Sequence, residues 1–318
     1  MSPSTPTPGA PPTQPASPAE AFSRTVDGVE VLGALSPSRA GDFMTCPLLY
    51  RYRTIDRLPE PPSADAVRGS LVHKVLEDLF DLPAAQRTPE QAAAMVAPAW
   101  AAMLEAEPEV AELFTAGGED EPRDFDAWLR SCGTALDTYF KLEDPRRLEP
   151  AERELYVETL LDSKLLLRGF VDRLDVAPNG MVRIVDYKTG RAPNERFEAK
   201  ALFQMKFYAL VLWRTRGVVP SMLQLIYLGD GQILRHVPDE DDLLATERKV
   251  EAVWKAIRHA ELASDWRPTP SKLCAWCNHQ AHCPAFGNEM LPLPAELHVR
   301  RVADESVSAE PATADPQP

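Results

Sequence analysis

No stretch of this sequence stays apolar for the eighteen or more residues that a membrane-crossing helix needs. Its start lacks a basic segment leading into an apolar one, so a secretory leader is not expected and the reading is a cytoplasmic protein with no membrane partner. The pattern Gly-x-x-x-x-Gly-Lys-Ser/Thr does not occur, so no ATP-binding phosphate loop and no ATP-driven motor are expected in this chain. Cysteine is scarce, five in 318 residues, and a disulfide framework is not expected in a reducing compartment. Positive charge is short too: 34 lysines and arginines face 48 acids, a formal net of -14.

That deficit argues against a polyanionic ligand, because phosphate binding needs Lys and Arg. Its distribution removes the objection. Residues 77–126 hold thirteen acids against two arginines, and residues 288–318 hold six against two. The remainder is close to neutral and free to present a basic groove. The acidic stretch at 105–126 reads as a solvated loop rather than a mimic of nucleic acid.

What is present is ordinary globular material, 44% apolar and 26% charged, and long enough to bury a core. Seven prolines fall in the first twenty residues, so residues 1–33 are expected as a disordered tail, with a second at 289–318. Between them, 34–288 reads as one domain with a helical insert at about 81–148 and a Cys-rich segment at 270–287. Ser36-Pro37 marks a helix start, and Leu71, Val72, Val75, Leu76 and Leu79 give a helix over 69–80 its apolar face.

Beyond residue 150 the period changes. Leu155, Val157, Thr159 and Leu161 alternate, and two β-rich runs, 165–176 and 181–187, flank Pro178-Asn179-Gly180, a hairpin signal. A helix over 195–216, strands at 222–228 and 232–237 and a helix over 239–262 follow. The order predicts a mixed α/β domain with an antiparallel start to its sheet.

Phosphodiester hydrolysis needs a cation to neutralise phosphate and to make hydroxide near neutral pH, and Mg²⁺ or Mn²⁺ prefers carboxylate oxygens. The hairpin offers such a place. Asp172 lies in Gly169-Phe170-Val171-Asp172-Arg173-Leu174-Asp175, and Asp186 and Lys188 lie in Ile184-Val185-Asp186-Tyr187-Lys188-Thr189-Gly190. Asp186 and Lys188, two apart on a strand, share one face. Acids set among apolar residues are expected to be paired or ligated, and on pattern alone a metal site and a structural ion pair both stand.

These two segments resemble the motif pair of the PD-(D/E)xK nucleases, in the RecB-like branch that includes AddB-type and CRISPR-associated iron–sulfur nucleases. Two further motifs stand in the same order: Arg68-Gly69-Ser70-Leu71-Val72-His73-Lys74 resembles the branch's histidine helix, and Gln204-Met205-Lys206-Phe207-Tyr208 its Gln-x-x-x-Tyr element. Val171 stands where the superfamily name has Pro. The resemblance covers about residues 35–287. It implies a restriction-endonuclease-like α/β core, a mixed central sheet flanked by helices, with the helical insert and an iron–sulfur staple. It also implies Mg²⁺ or Mn²⁺ held by His73, Asp172, Asp186 and the Tyr187 carbonyl, catalysis by Asp172, Asp186 and Lys188, and DNA positioned by Gln204 and Tyr208. Glu77, one turn beyond His73, is expected on the helix surface.

Cys274, Cys277 and Cys283 put three thiols within ten positions, a spacing for zinc or iron–sulfur. His279 and His282 are near enough for a zinc reading. The same nucleases carry one Cys ahead of the histidine helix, so the resemblance implies a 4Fe–4S cluster on Cys46, Cys274, Cys277 and Cys283. Cys132, in an apolar helical run, is expected as a buried free thiol.

The expectation is a metal-dependent DNA nuclease: an exonuclease on single strands or ends, acting in repair or recombination by two-metal-type hydrolysis. It would work alone or with a separate helicase. The alternatives are a catalytically silent nuclease fold that binds DNA or protein, and a zinc-stabilised adaptor whose hairpin acids are structural.

Overall fold

The computed structural model describes residues 25–26, 28–115, 124–194 and 198–294. Residues 1–24 and 295–318, most of the two expected tails, lie outside the described residues, as does the acidic loop at 117–123.

Described structure starts ahead of the expected boundary at residue 34. Strands β1 (Thr25–Val26) and β2 (Val29–Glu30) form a hairpin around Gly28, whose φ of +78° suits a residue without Cβ. Strand β3 (Gly33–Leu35) then joins the main sheet. At the other end Arg51 donates to the carbonyls of Leu291 (2.6 Å) and Pro292 (2.8 Å), so ordered chain also runs past 288.

Helix α1 (Pro37–Thr45) is capped by the Ser36 side chain with Pro37 in its first turn, as the sequence predicts. Helix α2 (Pro47–Tyr50) continues into a π-helical turn at Arg51–Ile55. The histidine helix α3 (Ala64–Leu79) begins five residues before the predicted start, because Ser63 caps it. Helices α4 (Pro89–Ala106) and α5 (Phe125–Leu142), capped by Thr88 and Asp124, make the insert.

Strands β4 (Glu152–Leu160), β5 (Leu165–Val176) and β6 (Val182–Lys188) come next, the last two joined at Pro178-Asn179-Gly180, where Gly180 has φ +83°. Helix α6 (Glu198–Arg216), strands β7 (Met222–Tyr227) and β8 (Gln232–His236) and helix α7 (Glu240–Ala263) complete the core. β5 runs antiparallel to β4 and β6 and parallel to β3; β6 and β7 are parallel, and β8 closes antiparallel. This is the mixed sheet of a restriction-endonuclease-like core.

Helices cover both faces. Leu167, Ile184, Leu223 and Leu225 pack under α6 and α7, while Val185, Tyr187 and Ile226 pack against α3, α4 and α5. Strand alternation thus sends Asp186 toward α6 and its neighbour Tyr187 toward α3.

One edge of β5 is shared by two strands. β3 pairs with Leu165–Leu167 and β6 with Arg173–Val176, so among the described residues positions 168–172 have no strand partner on that side. The functional residues gather at this gap.

Candidate active site

Continuing the β5–β6 register by one step sets Asp172 opposite Asp186. The ladder stops just there. The backbone N–H of Tyr187, which one step further would face Val171, donates instead to Asp172 Oδ2 at 2.8 Å. Strand β6 therefore splays from β5 where the two acids stand, and this opening makes room for a ligand.

Across the other ladder, pairs 153–173 and 155–171 place Glu154 opposite Asp172. Glu154 has φ +43° within a strand, a left-handed conformation that few non-glycine residues adopt. Across the same kink β5 changes face: Val171 and Leu174, three apart, pack in one core, while the intervening Arg173 turns to the other side. Three carboxylates, Glu154, Asp172 and Asp186, thus lie at neighbouring positions on β4, β5 and β6. Sequence reasoning missed Glu154, because Leu155 and Val157 mark the odd positions of β4 as inward.

His73 on α3 reaches the row from above. Its Nε2 is 2.8 Å from the Tyr187 carbonyl and its Nδ1 3.5 Å from Asp172 Oδ2. Ligand atoms of His73, Glu154 and Asp172 all lie within 4.8 Å of one another. Glu77 lines the same small cleft, with its carboxylate 3.3 Å from the Lys74 ammonium. Of the residues expected to hold metal, His73, Asp172 and the Tyr187 carbonyl converge, and Glu154 joins them.

Asp186, outside the trio of His73, Glu154 and Asp172, engages Lys188 and α6. Its Oδ2 is buried, accepts no well-aligned hydrogen bond, and lies 2.6 Å from the Lys188 ammonium. Its Oδ1 accepts from Gln204 Nε2 at 3.0 Å. The Gln204 carbonyl oxygen accepts from Lys188 at 3.1 Å, and its amide also donates to the Tyr208 hydroxyl at 3.2 Å. Gln204, expected to position DNA, is thus hydrogen-bonded to both Asp186 and Lys188. Tyr208 lies over Gly169, where an added Cβ would come within 2.6 Å of the ring, so the glycine makes room for it.

The electrostatics follow from burial and crowding. Burial, and then the neighbouring Asp186 charge, push the Asp172 carboxyl well above the usual carboxylate range. Burial, and then the charges of Glu77 and Asp186, push Glu154 up. Burial lowers His73, against the opposing pull of Asp186, and favours the neutral imidazole that ligates metal. An under-satisfied buried carboxylate oxygen, a crowded acid pair and a neutral histidine form a donor set that suits a hard divalent cation.

A second assembly lies away from these acids. Cys46, ahead of α2, and Cys274, Cys277 and Cys283 line one cavity of about 60 Å³. The backbone N–H of Thr269 lies 3.4 Å from Cys46 Sγ, and that of Ser271 lies 3.3 Å from Cys274 Sγ. Burial raises the Cys277 thiol. Among the described residues no three of these sulfurs lie within 4.8 Å of one another. His279 is buried and engages Glu60 at 2.6 Å. Cys132 is buried apart from the other four, in α5.

A family model, that of the PD-(D/E)XK nuclease superfamily, matches residues 34–284. The gene 69 protein of Mycobacterium phage D29 is 26% identical over 275 residues, covering 79% of this chain and 96% of that one. The gene 69 protein of Mycobacterium phage L5 is 26% identical over 300 residues, covering 82% and 99%. Among solved structures, a proposed exonuclease from Eubacterium rectale superposes with a TM-score of 0.51 at 13% identity, covering 82% of this chain and 90% of that one. This last likeness is one of fold.

Proposed function

The chain belongs to the PD-(D/E)XK nuclease superfamily, and from that premise we propose that it is a Mg²⁺- or Mn²⁺-dependent deoxyribonuclease of the RecB-like branch. It would act as an exonuclease on single strands or DNA ends, in repair or recombination, alone or beside a separate helicase. One observation carries the reading: His73, Glu154 and Asp172 converge beside the hydrogen-bonded set Asp186, Lys188 and Gln204.

His73, Asp172, Asp186 and the Tyr187 carbonyl would hold the metal, with Glu154 added to them. Three carboxylates and a histidine are donors enough for two cations. Bound there, divalent metal supplies charge neutralisation at the phosphate and hydroxide near neutral pH. The chain's own residues do the rest. Asp186 and Gln204 fix the Lys188 ammonium from two sides, so it meets charge developing on the phosphate without reorganising. The amide of Tyr187 orients Asp172, and the Tyr187 carbonyl orients the His73 ring.

The resemblance favours a 4Fe–4S cluster over zinc on the four cysteines. One zinc would draw its thiolates to within about 3.8 Å of one another, given Zn–S bonds of about 2.3 Å in a tetrahedron. A cubane binds each cysteine through a different iron and holds the sulfurs farther apart. His279 engages Glu60 through Nε2 alone, so its Nδ1 keeps the zinc alternative open.

The test is end-labelled single-stranded DNA incubated with Mg²⁺ or Mn²⁺ and anaerobically purified protein, beside Asp186→Ala and Lys188→Ala. Cleavage that needs metal and disappears in both variants establishes the activity, and the ladder of products reports its polarity. Folded, cluster-loaded protein that cuts no form of DNA would leave a silent binding module.

A further inference from the structure

A groove of about 700 Å³ runs from α1 across the open edge of β5 to Gln204 and Tyr208 on α6. In a chain of net charge -14 its lining is positive, with Arg39, Arg53, Arg168 and Lys200 against Asp42. Arg53 and Asp42 pair at 2.9 Å. Lys200 donates to a neutral partner, the Thr45 hydroxyl, at 3.1 Å. Arg39 and Arg168 lie close enough that, beside burial, the Arg168 charge disfavours that of Arg39. An anion placed between them would relieve this.

The same lining carries two outward-facing rings. Phe170 is 55% exposed and Tyr156 43% exposed; they are cross-strand partners with ring centroids 5.2 Å apart. The Tyr156 hydroxyl donates to Glu158, which steadies its ring. Exposed aromatic faces beside cations make a platform on which unpaired bases stack, whereas the base faces of a duplex are already covered.

We propose that this groove is the path of a single DNA strand, with bases on Phe170 and Tyr156 and phosphates on Arg39, Arg168 and Lys200. It delivers the strand past Tyr208 and Gln204 to the acids. The proposal rests on the nuclease reading and adds to it the residues that select unpaired DNA. A cross-strand aromatic pair also stabilises a sheet that binds nothing, so binding itself must be measured.

The experiment is fluorescence anisotropy of a labelled oligothymidylate with metal-free full-length protein, in a Lys188→Ala background that cannot cut. Phe170→Ala is expected to weaken binding about tenfold while the protein stays folded, its thermal midpoint lowered by no more than a few degrees, and Phe170→Trp to restore binding. Arg168→Ala is expected to lower the slope of log affinity against log salt by about one. A hairpin duplex is expected to bind more weakly than the single strand. Parental affinity in both alanine variants, a tighter duplex, or no binding by the parent would overturn the groove. The nuclease reading fails separately, if wild type binds the strand but does not cut it with metal.

Discussion

Glu154 stands directly across the β4–β5 ladder from Asp172, held at φ +43° in the middle of a strand. Like charges opposite one another destabilise a sheet, and a left-handed non-glycine residue costs of order 1–3 kcal/mol. A cation bound between the two acids would offset the repulsion. Glu154→Gln should therefore raise the stability of metal-free protein by roughly 0.5–1 kcal/mol. It should also weaken Mn²⁺ binding by about tenfold or more. Calorimetric titration and urea melts measure the two effects; unchanged values in both would place Glu154 outside the site.

Asp172 sets a pH dependence. Its carboxyl is raised in the folded protein, so between the ordinary aspartate value of about 3.9 and that raised value the folded state binds more protons than the unfolded one. Metal-free stability contributed by this group is thus present at low pH and lost as pH rises through the window. His73, with its lowered value, slopes the other way. The readout is accordingly the difference between wild type and Asp172→Asn in EDTA. The variant should lose less stability from about pH 4 upward, and a slope as steep as wild type would refute the assignment.

Gly169→Ala should displace the Tyr208 ring, since the new Cβ would sit 2.6 Å from it. The expected loss is about 1–3 kcal/mol in denaturant melts, accompanied by loosening of the Gln204 contact to Asp186. Wild-type stability in this variant would mean that the ring moves aside freely.

Arg173 is 1% exposed and engages Glu143 at 2.8 Å, Asp175 at 3.1 Å and the Tyr187 hydroxyl beneath the site. Arg173→Ala leaves buried Glu143 with only Gln224 at 3.2 Å and Arg183 at 4.0 Å, and should cost about 3–5 kcal/mol. Adding Glu143→Gln should recover part of that. A double variant no more stable than the single one would show that packing, and not charge, sets the loss.

The cysteines should separate by reactivity. Burial pushes the Cys132 thiol up to about 11, so iodoacetamide on native, metal-stripped protein near pH 8 should spare it and label Cys46, Cys274 and Cys283, with Cys277, whose thiol burial also raises, reacting more slowly. Cys277→Ala should remove iron and inorganic sulfide together and lower the thermal midpoint. Zinc in place of iron in the wild type, read by elemental analysis, would discard the cluster.

Long-period features were legible in the sequence. Alternation marked β4, β-rich composition marked β5 and β6, and Pro178-Asn179-Gly180 marked the hairpin between those two. The apolar stripe marked the buried face of α3, the helix on which resemblance singled out His73. Three-residue β3 is too short to show a period. Glu154 was hidden because a single left-handed residue overrides the alternation that would turn it outward. The contacts of Gln204 were hidden because its partners, Asp186 and Lys188, come from another element; only the fold supplies them. Cys46, 228 positions ahead of Cys274, was joined to the other three cysteines by resemblance alone, and all four line one cavity.

The grip of Arg51 on Leu291 and Pro292, together with the Tyr52 hydroxyl on the His282 carbonyl, spans 230 to 241 positions. On a ribosome, these donors wait for their acceptors until nearly all of the described chain has been made. The carboxylate row on β4 to β6 is synthesised well before that clasp can close. A stall or truncation short of residue 280 would therefore release chains with the site residues present and the π-helical turn unsecured, a state open to proteolysis.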